Sequence, residues 1–280
     1  MTQAAIGVMQ GRLVPPVAGR IQAFPGANWE AEFPLAAAAQ LRCIEWIYDA
    51  YGKDVNPLAS RSGIDRMRRT MSDTGVAVRS VVADIFMDFP LVRATPEELR
   101  DRVSMLLTLL ERCVDTGIGR IVLPFVDASS IRTRNDEAQA RSAIEAALTT
   151  AEGLDIELHL ETDLEPEQFA RFLEPFPRST VFVNYDSGNS ASLGFRAAEE
   201  FAAYGDRVGS VHIKDRVRGG STVPLGTGDA DFDAIFTALD QVGYRGDLIL
   251  QVARGTPGDE LSWARTNREF VERYIESHLR

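Results

Sequence analysis

Histidine and cysteine are scarce in this chain, with three and two among 280 residues. Cys43 and Cys113 are too few for a disulfide framework, and neither belongs to a paired Cys motif of the structural-zinc type. No stretch approaches the roughly 18 unbroken apolar residues of a membrane span, and the opening MTQAAIGVMQGRLVPP lacks a charged-then-apolar signal pattern. These absences predict a reducing, cytoplasmic setting and no membrane partner. Basic residues are outnumbered, 30 Lys and Arg against 41 Asp and Glu, a net charge of −11. Such a field repels phosphate backbones and argues against nucleic-acid binding, while local Arg and Lys can still hold a small anionic substrate. No Pro/Gly/Ser linker or low-complexity segment divides the chain, so residues 1–280 are expected to form a single domain. Nor does a G-x-G-x-x-G follow the first apolar run, which disfavours a doubly wound dinucleotide fold.

What the chain has is repetition. Short apolar runs recur at 6–10, 43–49, 77–84, 120–126, 155–161, 181–186, 208–214 and 247–252, most of them rich in β-branched residues and short enough for strands. Amphipathic stretches lie between them. The clearest, PEELRDRVSMLLTLLERCVDTG at 96–117, starts on Pro, carries acids in its first turn and stops at Gly; 135–153 and 230–243 follow the same pattern. Eight strand–helix units in 280 residues average about 35 residues each, the usual length of a βα repeat. The natural closure is a (β/α)8 TIM barrel, whose strand C-termini build the active face.

Four consecutive runs end on a side chain able to hold a metal: Glu161 in HLET, Asp186 in NYDSGN, His212 in VHIKD and Gln251 in ILQV. Residues two apart on a strand share a face, so Asn184 accompanies Asp186, Ser210 accompanies His212 and Ile249 accompanies Gln251. If those faces point inward, the four polar ends converge at the barrel mouth. Carboxylates with one imidazole suit Mn²⁺, Mg²⁺, Zn²⁺ or Co²⁺ and do not choose among them. Solvent-edge capping of strands is the plainer alternative for any one of them.

The segments GVMQGRLVPP, IQAFPGANWEAEF, IEWIYD, YDSGN and VHIKDR with VPLGTGDADF resemble the xylose-isomerase-like TIM barrels, and more closely their sugar-phosphate isomerase/epimerase branch. The resemblance touches most of the chain. It implies one divalent metal held by Glu, Asp, His and Glu from strands five to eight. Glu161, Asp186 and His212 match; Gln251 departs. The resemblance also implies that the metal polarises a substrate carbonyl while a carboxylate removes the neighbouring C–H proton, through a metal-stabilised enediolate, on a small-molecule sugar or sugar phosphate. Epimerisation by two carboxylates needs a second proton carrier, which Gln251 cannot be at neutral pH. With Glu161 and Gln251 as the catalytic pair, the balance tilts toward aldose–ketose isomerisation. Lyase or dehydratase chemistry on a sugar- or cyclitol-derived carbonyl compound is the second enzyme reading, and a sugar-binding pseudoenzyme the third.

Further candidates follow from the same resemblance and from position. Glu45 and Asp84 end strands two and three, where they would reach substrate hydroxyls. Lys214, Arg216 and, as second choice, Arg218 follow His212 and would contact substrate oxygens. Gly226 and Gly228 follow strand seven, where barrels bind phosphate through backbone N–H groups. Arg12, in QGRL, would add an anion contact from across the mouth. His159, deeper on the face of Glu161, reads as a core histidine. Assembly into a homo-oligomer is left open.

Overall fold

The computed structural model describes residues 4–279. Eight parallel strands close into a barrel: β1 (Ile6–Met9), β2 (Cys43–Ile47), β3 (Ala77–Val82), β4 (Arg120–Phe125), β5 (Glu157–Thr162), β6 (Val181–Asp186), β7 (Val208–Ile213) and β8 (Leu248–Leu250). Each pairs with its sequence neighbours, and β1 closes the ring on β8 through Gly7 opposite Ile249. Every predicted strand is present, with neither end displaced by more than two residues; β5 starts two residues later than expected and ends one later. The chain is thus a single TIM-barrel domain, as the 35-residue repeat predicts.

The helices form where the caps say they should. Pro96–Thr116 opens with a reciprocal capping box between Thr95 and Glu98, which satisfies two N–H groups that the first turn leaves free. Its Leu106, Leu109, Leu110 and Cys113 face the barrel and are buried, at the three- and four-residue spacing of one helix face. Thr133 caps Arg134–Gly153 by accepting the Asp136 N–H through its side chain. Both cysteines are buried thiols, and among the described residues no helix is long and apolar enough to cross a membrane.

Two connections shape the mouth. After β1 the chain runs through residues 10–31 without a strand; buried Glu32 anchors this loop by accepting the Gly11 and Leu13 N–H groups, the first at 2.6 Å. After β7 a short antiparallel hairpin, Asp215–Arg216 with Thr222–Val223, stands beside the mouth.

Candidate functional site

Inside the barrel the side chains of β5, β6 and β7 build a polar ladder rather than the branched aliphatic filling common in such barrels. His159 sits at its lower end, one ring nitrogen 2.7 Å from Ser210 Oγ and the other 2.9 Å from Glu157. Burial pushes its pKa below the usual histidine value. Ser210 donates to Asn184 Oδ1 at 2.6 Å, and this turns the Asn184 NH2 group upward to Glu161 Oε2 at 2.9 Å. His159 is therefore a hydrogen-bonded core residue, as its depth predicts.

At the top of the ladder Glu161, Asp186 and His212 each offer one donor atom, all within 4.8 Å of one another, and all three residues are buried. His212 reaches this cluster with Nδ1, which lies 3.3 Å from Glu161 Oε2 and 3.8 Å from Asp186 Oδ2. Its Nε2 is committed to Glu45 Oε2 at 2.5 Å. Two carboxylates and an imidazole nitrogen, with a third carboxylate behind the ring, are the donor set and the backing group that a divalent cation takes. The residues fit the cation that the strand-end pattern anticipates. Burial alone would discharge His212, but Glu45, Asp186 and Glu161 around it hold its pKa well above the ordinary value. For Asp186 burial pulls upward, and the Lys214 ammonium at 3.3 Å, His212 and the Asn189 N–H together outweigh it, leaving the carboxyl below the usual range.

A cavity of about 360 Å³ opens above the cluster. Glu161, Asp84, Asn189, Lys214, Arg216 and Gln251 all line it. A larger cleft, about 720 Å³, lies at the opposite rim against Gly119, Arg120, Glu157 and Thr180, but has no such cluster. Donor chemistry, not volume, selects the site.

Several expected residues are placed differently. Glu45 is fully buried beneath the mouth, where it holds His212 rather than facing the cavity. Arg12 spends its guanidinium on the chain itself: Nε donates to Val252 O at 2.9 Å, Nη1 to Ile21 O and Nη2 to Gln22 Oε1. Burial and the nearby Arg254 lower its pKa to about 9, which still leaves it charged at neutral pH. The glycine loop is also engaged internally. Gly226, Thr227 and Gly228 donate their N–H groups to Asp215 Oδ2 at 2.8–3.1 Å, so the chain's own carboxylate fills the place proposed for a phosphate. The two glycines are needed for this turn: Gly226 has φ +80°, and a Cβ at Gly228 would lie 2.3 Å from Asp215 Oδ1. Arg218 lies outward, its guanidinium over Gly194. Arg216 does line the cavity, braced on Gly220 O and on Asn189 Oδ1 at 3.0 Å.

Three polar residues carry much of this geometry without having been anticipated as site residues. Asn189 donates to Glu161 Oε1 at 2.7 Å while its oxygen accepts from Lys214 and Arg216. Asn184 holds the other oxygen of Glu161. Gln22, from the loop after β1, bridges Asp84 and Gln251 across the mouth. Strand parity placed Asn184 on the right face; a helix-start position three residues after Asp186 was the signal for Asn189. Gln22 had none.

With this geometry in hand, the comparisons with known proteins are decisive on one point. The profile of the family described as "Xylose isomerase-like TIM barrel" matches residues 33–274. The chain belongs to this family. Among curated relatives, it is 26% identical to an L-ribulose 3-epimerase of Methylomonas sp. (strain DH-1) over 61% of each chain. It is 25% identical to the putative L-ribulose-5-phosphate 3-epimerase SgbU of Escherichia coli (strain K12) over 80% of this chain and 84% of that one. An inosose dehydratase of Clostridium perfringens is 26% identical over 38% of this chain and 42% of its own. The first match spans less than two thirds of the curated relative. Of solved structures, an L-ribulose 3-epimerase superposes with a TM-score of 0.78 at 20% identity, covering 98% of this chain and 95% of that one. An IOLI protein crystallised with a zinc atom gives 0.78 at 15% identity, covering 98% and 99%. These two likenesses support the fold.

Proposed function

We propose that the protein is a divalent-cation-dependent isomerase or epimerase of a sugar or sugar phosphate, working by proton abstraction at a carbon next to a carbonyl. One observation carries the reading: Glu161, Asp186 and His212 converge on one point, and Glu161 lines a cavity of about 360 Å³. The names of the curated relatives, sugar epimerases among them, point the same way. Glu161, Asp186 and His212 would hold the cation, with Gln251 beside them. When bound, the cation supplies a Lewis acid for the substrate carbonyl.

The chain's own residues do the rest. Glu161 is the base: its carboxylate takes the C–H proton, and the C–H electron pair becomes the new C=C bond of the enediol. Asn184 and Asn189 each grip one of its oxygens and fix its direction. Returned to the neighbouring carbon, with the hydroxyl proton shifting from one enediol oxygen to the other, the proton completes an aldose–ketose isomerisation; returned to the opposite face of the same carbon, it would complete an epimerisation. Gln251 cannot deliver that second proton, so return from the Glu161 side is favoured. Arg216 and Lys214 bind substrate oxygens, and Asp84 faces them across the cavity. Desolvation in the mouth raises the Asp84 pKa to about 7.

A second reading has its own support. Lys214 places an ammonium 3.0 Å from Gln251 Oε1, on the cavity wall, where it would receive a hydroxyl leaving the carbon beyond the enediol. Dehydration of a sugar- or cyclitol-derived ketone would then follow the same first step, and an inosose dehydratase is among the relatives. Both readings take a small molecule as partner and a cytoplasmic setting, in which Cys43 and Cys113 remain thiols.

The test is incubation of the Mn²⁺-treated protein with a panel of ketoses, aldoses, their phosphates and inososes in deuterium oxide. Deuterium appearing beside the carbonyl, with interconversion of sugars, supports the first reading; loss of water supports the second. No exchange with any member would leave a sugar-binding protein without turnover.

A further inference from the structure

A side-chain amide has two ends of nearly the same shape, of which one accepts and the other donates hydrogen bonds. Only the oxygen can face a cation. A glutamate at position 251 would present an oxygen whichever way it turned; Gln251 must be told which way to turn. We propose that Gln22 is a positioning residue for Gln251, fixing the direction of its amide so that the oxygen, not the NH2 group, faces the cation side of the mouth. The inference rests on the cation-dependent reading above.

The argument runs through donors and acceptors whose roles cannot reverse. Gln251 Nε2 donates to Gln22 Oε1 at 3.1 Å. Gln22 Oε1 also accepts from Arg12 Nη2 at 3.3 Å, and a guanidinium can only donate. The Gln22 NH2 group donates to Asp84 Oδ2 at 2.7 Å. Turning Gln22 over would set its NH2 group against Arg12 and its oxygen against Asp84. Arg12 is itself pinned to Val252 O and Ile21 O, so it stays put, and its charge fixes the direction whatever the state of Asp84. The far end agrees: Gln251 Oε1 accepts from Lys214 Nζ at 3.0 Å, and the same ammonium lies 3.3 Å from Asp186 Oδ2. The oxygens of Gln251 and Asp186 thus already flank one positive charge. Donation runs one way, from Lys214 through Gln251 and Gln22 to Asp84. Arg12 and Asp84, expected at the substrate, both act on Gln251 through Gln22.

The experiment is calorimetric titration of Mn²⁺ into the metal-stripped protein, its Gln22→Leu variant, Gln251→Glu, and the double variant. Gln22→Met replaces the leucine variant if that does not fold. Losing Gln22 should weaken Mn²⁺ binding about ten-fold in the wild-type background, the lower end for groups that orient a metal ligand. In the Gln251→Glu background both ends of the side chain are oxygens, and the same change should cost less than about two-fold. An equal loss in both backgrounds, or none in the wild type, overturns the inference. If the wild type takes up no Mn²⁺, the cation-dependent reading fails separately, and heat unfolding without metal decides this one. Gln22→Leu and Gln251→Ala break the same link, so together they should lower Tm no more than the larger single loss; additive losses overturn it.

Discussion

Glu32 is a buried carboxyl with no ion-pair partner among the described residues, and Arg254 and Arg12 nearby lower its pKa less than burial raises it. Its Oε1 accepts the Gly11 and Leu13 N–H groups, its Oε2 has no hydrogen-bond partner, and burial raises its pKa from 4.5 to about 7. In the unfolded chain the group gives up its proton near 4.5, whereas the native protein keeps it to about 7. The native state therefore binds more protons between these values, and stability falls as pH rises through that window. At about 1.4 kcal/mol per pKa unit, the shift of some 2.5 units is worth roughly 3 kcal/mol, fully lost above about pH 8. Glu32→Gln keeps an oxygen for Gly11 and Leu13 and cannot ionise. Its new NH2 group has no acceptor waiting, which costs on the order of 1–3 kcal/mol at every pH. The variant's absolute Tm is thus not the test; its pH dependence is. At about 2 °C per kcal/mol for a chain of this size, Tm of the variant minus Tm of the wild type should climb by about 6 °C between pH 5 and pH 8. Scanning fluorimetry across that range measures it, with Asp84 common to both proteins. A difference that stays flat with pH would refute the reasoning, and with it the view that Glu32 anchors the mouth loop as a neutral acid.

Other outcomes follow from the site. Glu45→Gln should weaken Mn²⁺ binding by about 10- to 100-fold, since it loosens the ring that presents Nδ1; calorimetry with intact folding by circular dichroism checks it. Mn²⁺ affinity should rise with pH, because the acids around His212 raise its pKa and protons compete with the cation for the ring nitrogen; calorimetric titrations at several pH values check it. Gln251→Glu should tighten Mn²⁺ by about ten-fold or more, as a third anion joins Glu161 and Asp186; equal or weaker binding would put residue 251 outside the cation's reach. Arg216→Ala should lower kcat/KM on the true substrate about ten-fold or more with metal content unchanged; unchanged kinetics would make Arg216 a brace for the Asp215–Val223 hairpin only.

The barrel was legible because its signals are local and periodic. Short β-branched runs and capped amphipathic helices need only a window of sequence, and they placed all eight strands. The polar strand ends were legible for the same reason: parity along one strand and the order of strands bring Glu161, Asp186 and His212 together. What sequence reading misplaced depends on partners far along the chain. Gly226 and Gly228 look the same whether their N–H groups serve a ligand or Asp215, eleven to thirteen residues earlier. Arg12 in QGRL gives no hint that Val252, 240 residues away, claims its Nε. Glu45, expected at the end of its strand, stands in the middle of β2 (Cys43–Ile47), and this leaves it below the cavity against the His212 ring. Gln22 lies in a strandless loop, where no periodicity says which way a side chain points.

The pair His212–Glu45 joins residues 167 positions apart, and Gln22–Gln251 joins residues 229 apart. The first spans the barrel interior from β7 to β2, and the second comes into being where the last strand docks on the first. Glu161, Asp186 and His212 come together on adjacent strands, but Glu45 and Gln22, which orient His212 and Gln251, reach them from across the barrel, so the fully oriented site belongs to the closed ring. By mass action a ligand that favours the closed form stabilises it by about 2.7 kcal/mol at a hundred times its Kd. A cation bound there would then shorten the time each newly made chain stays open to proteases.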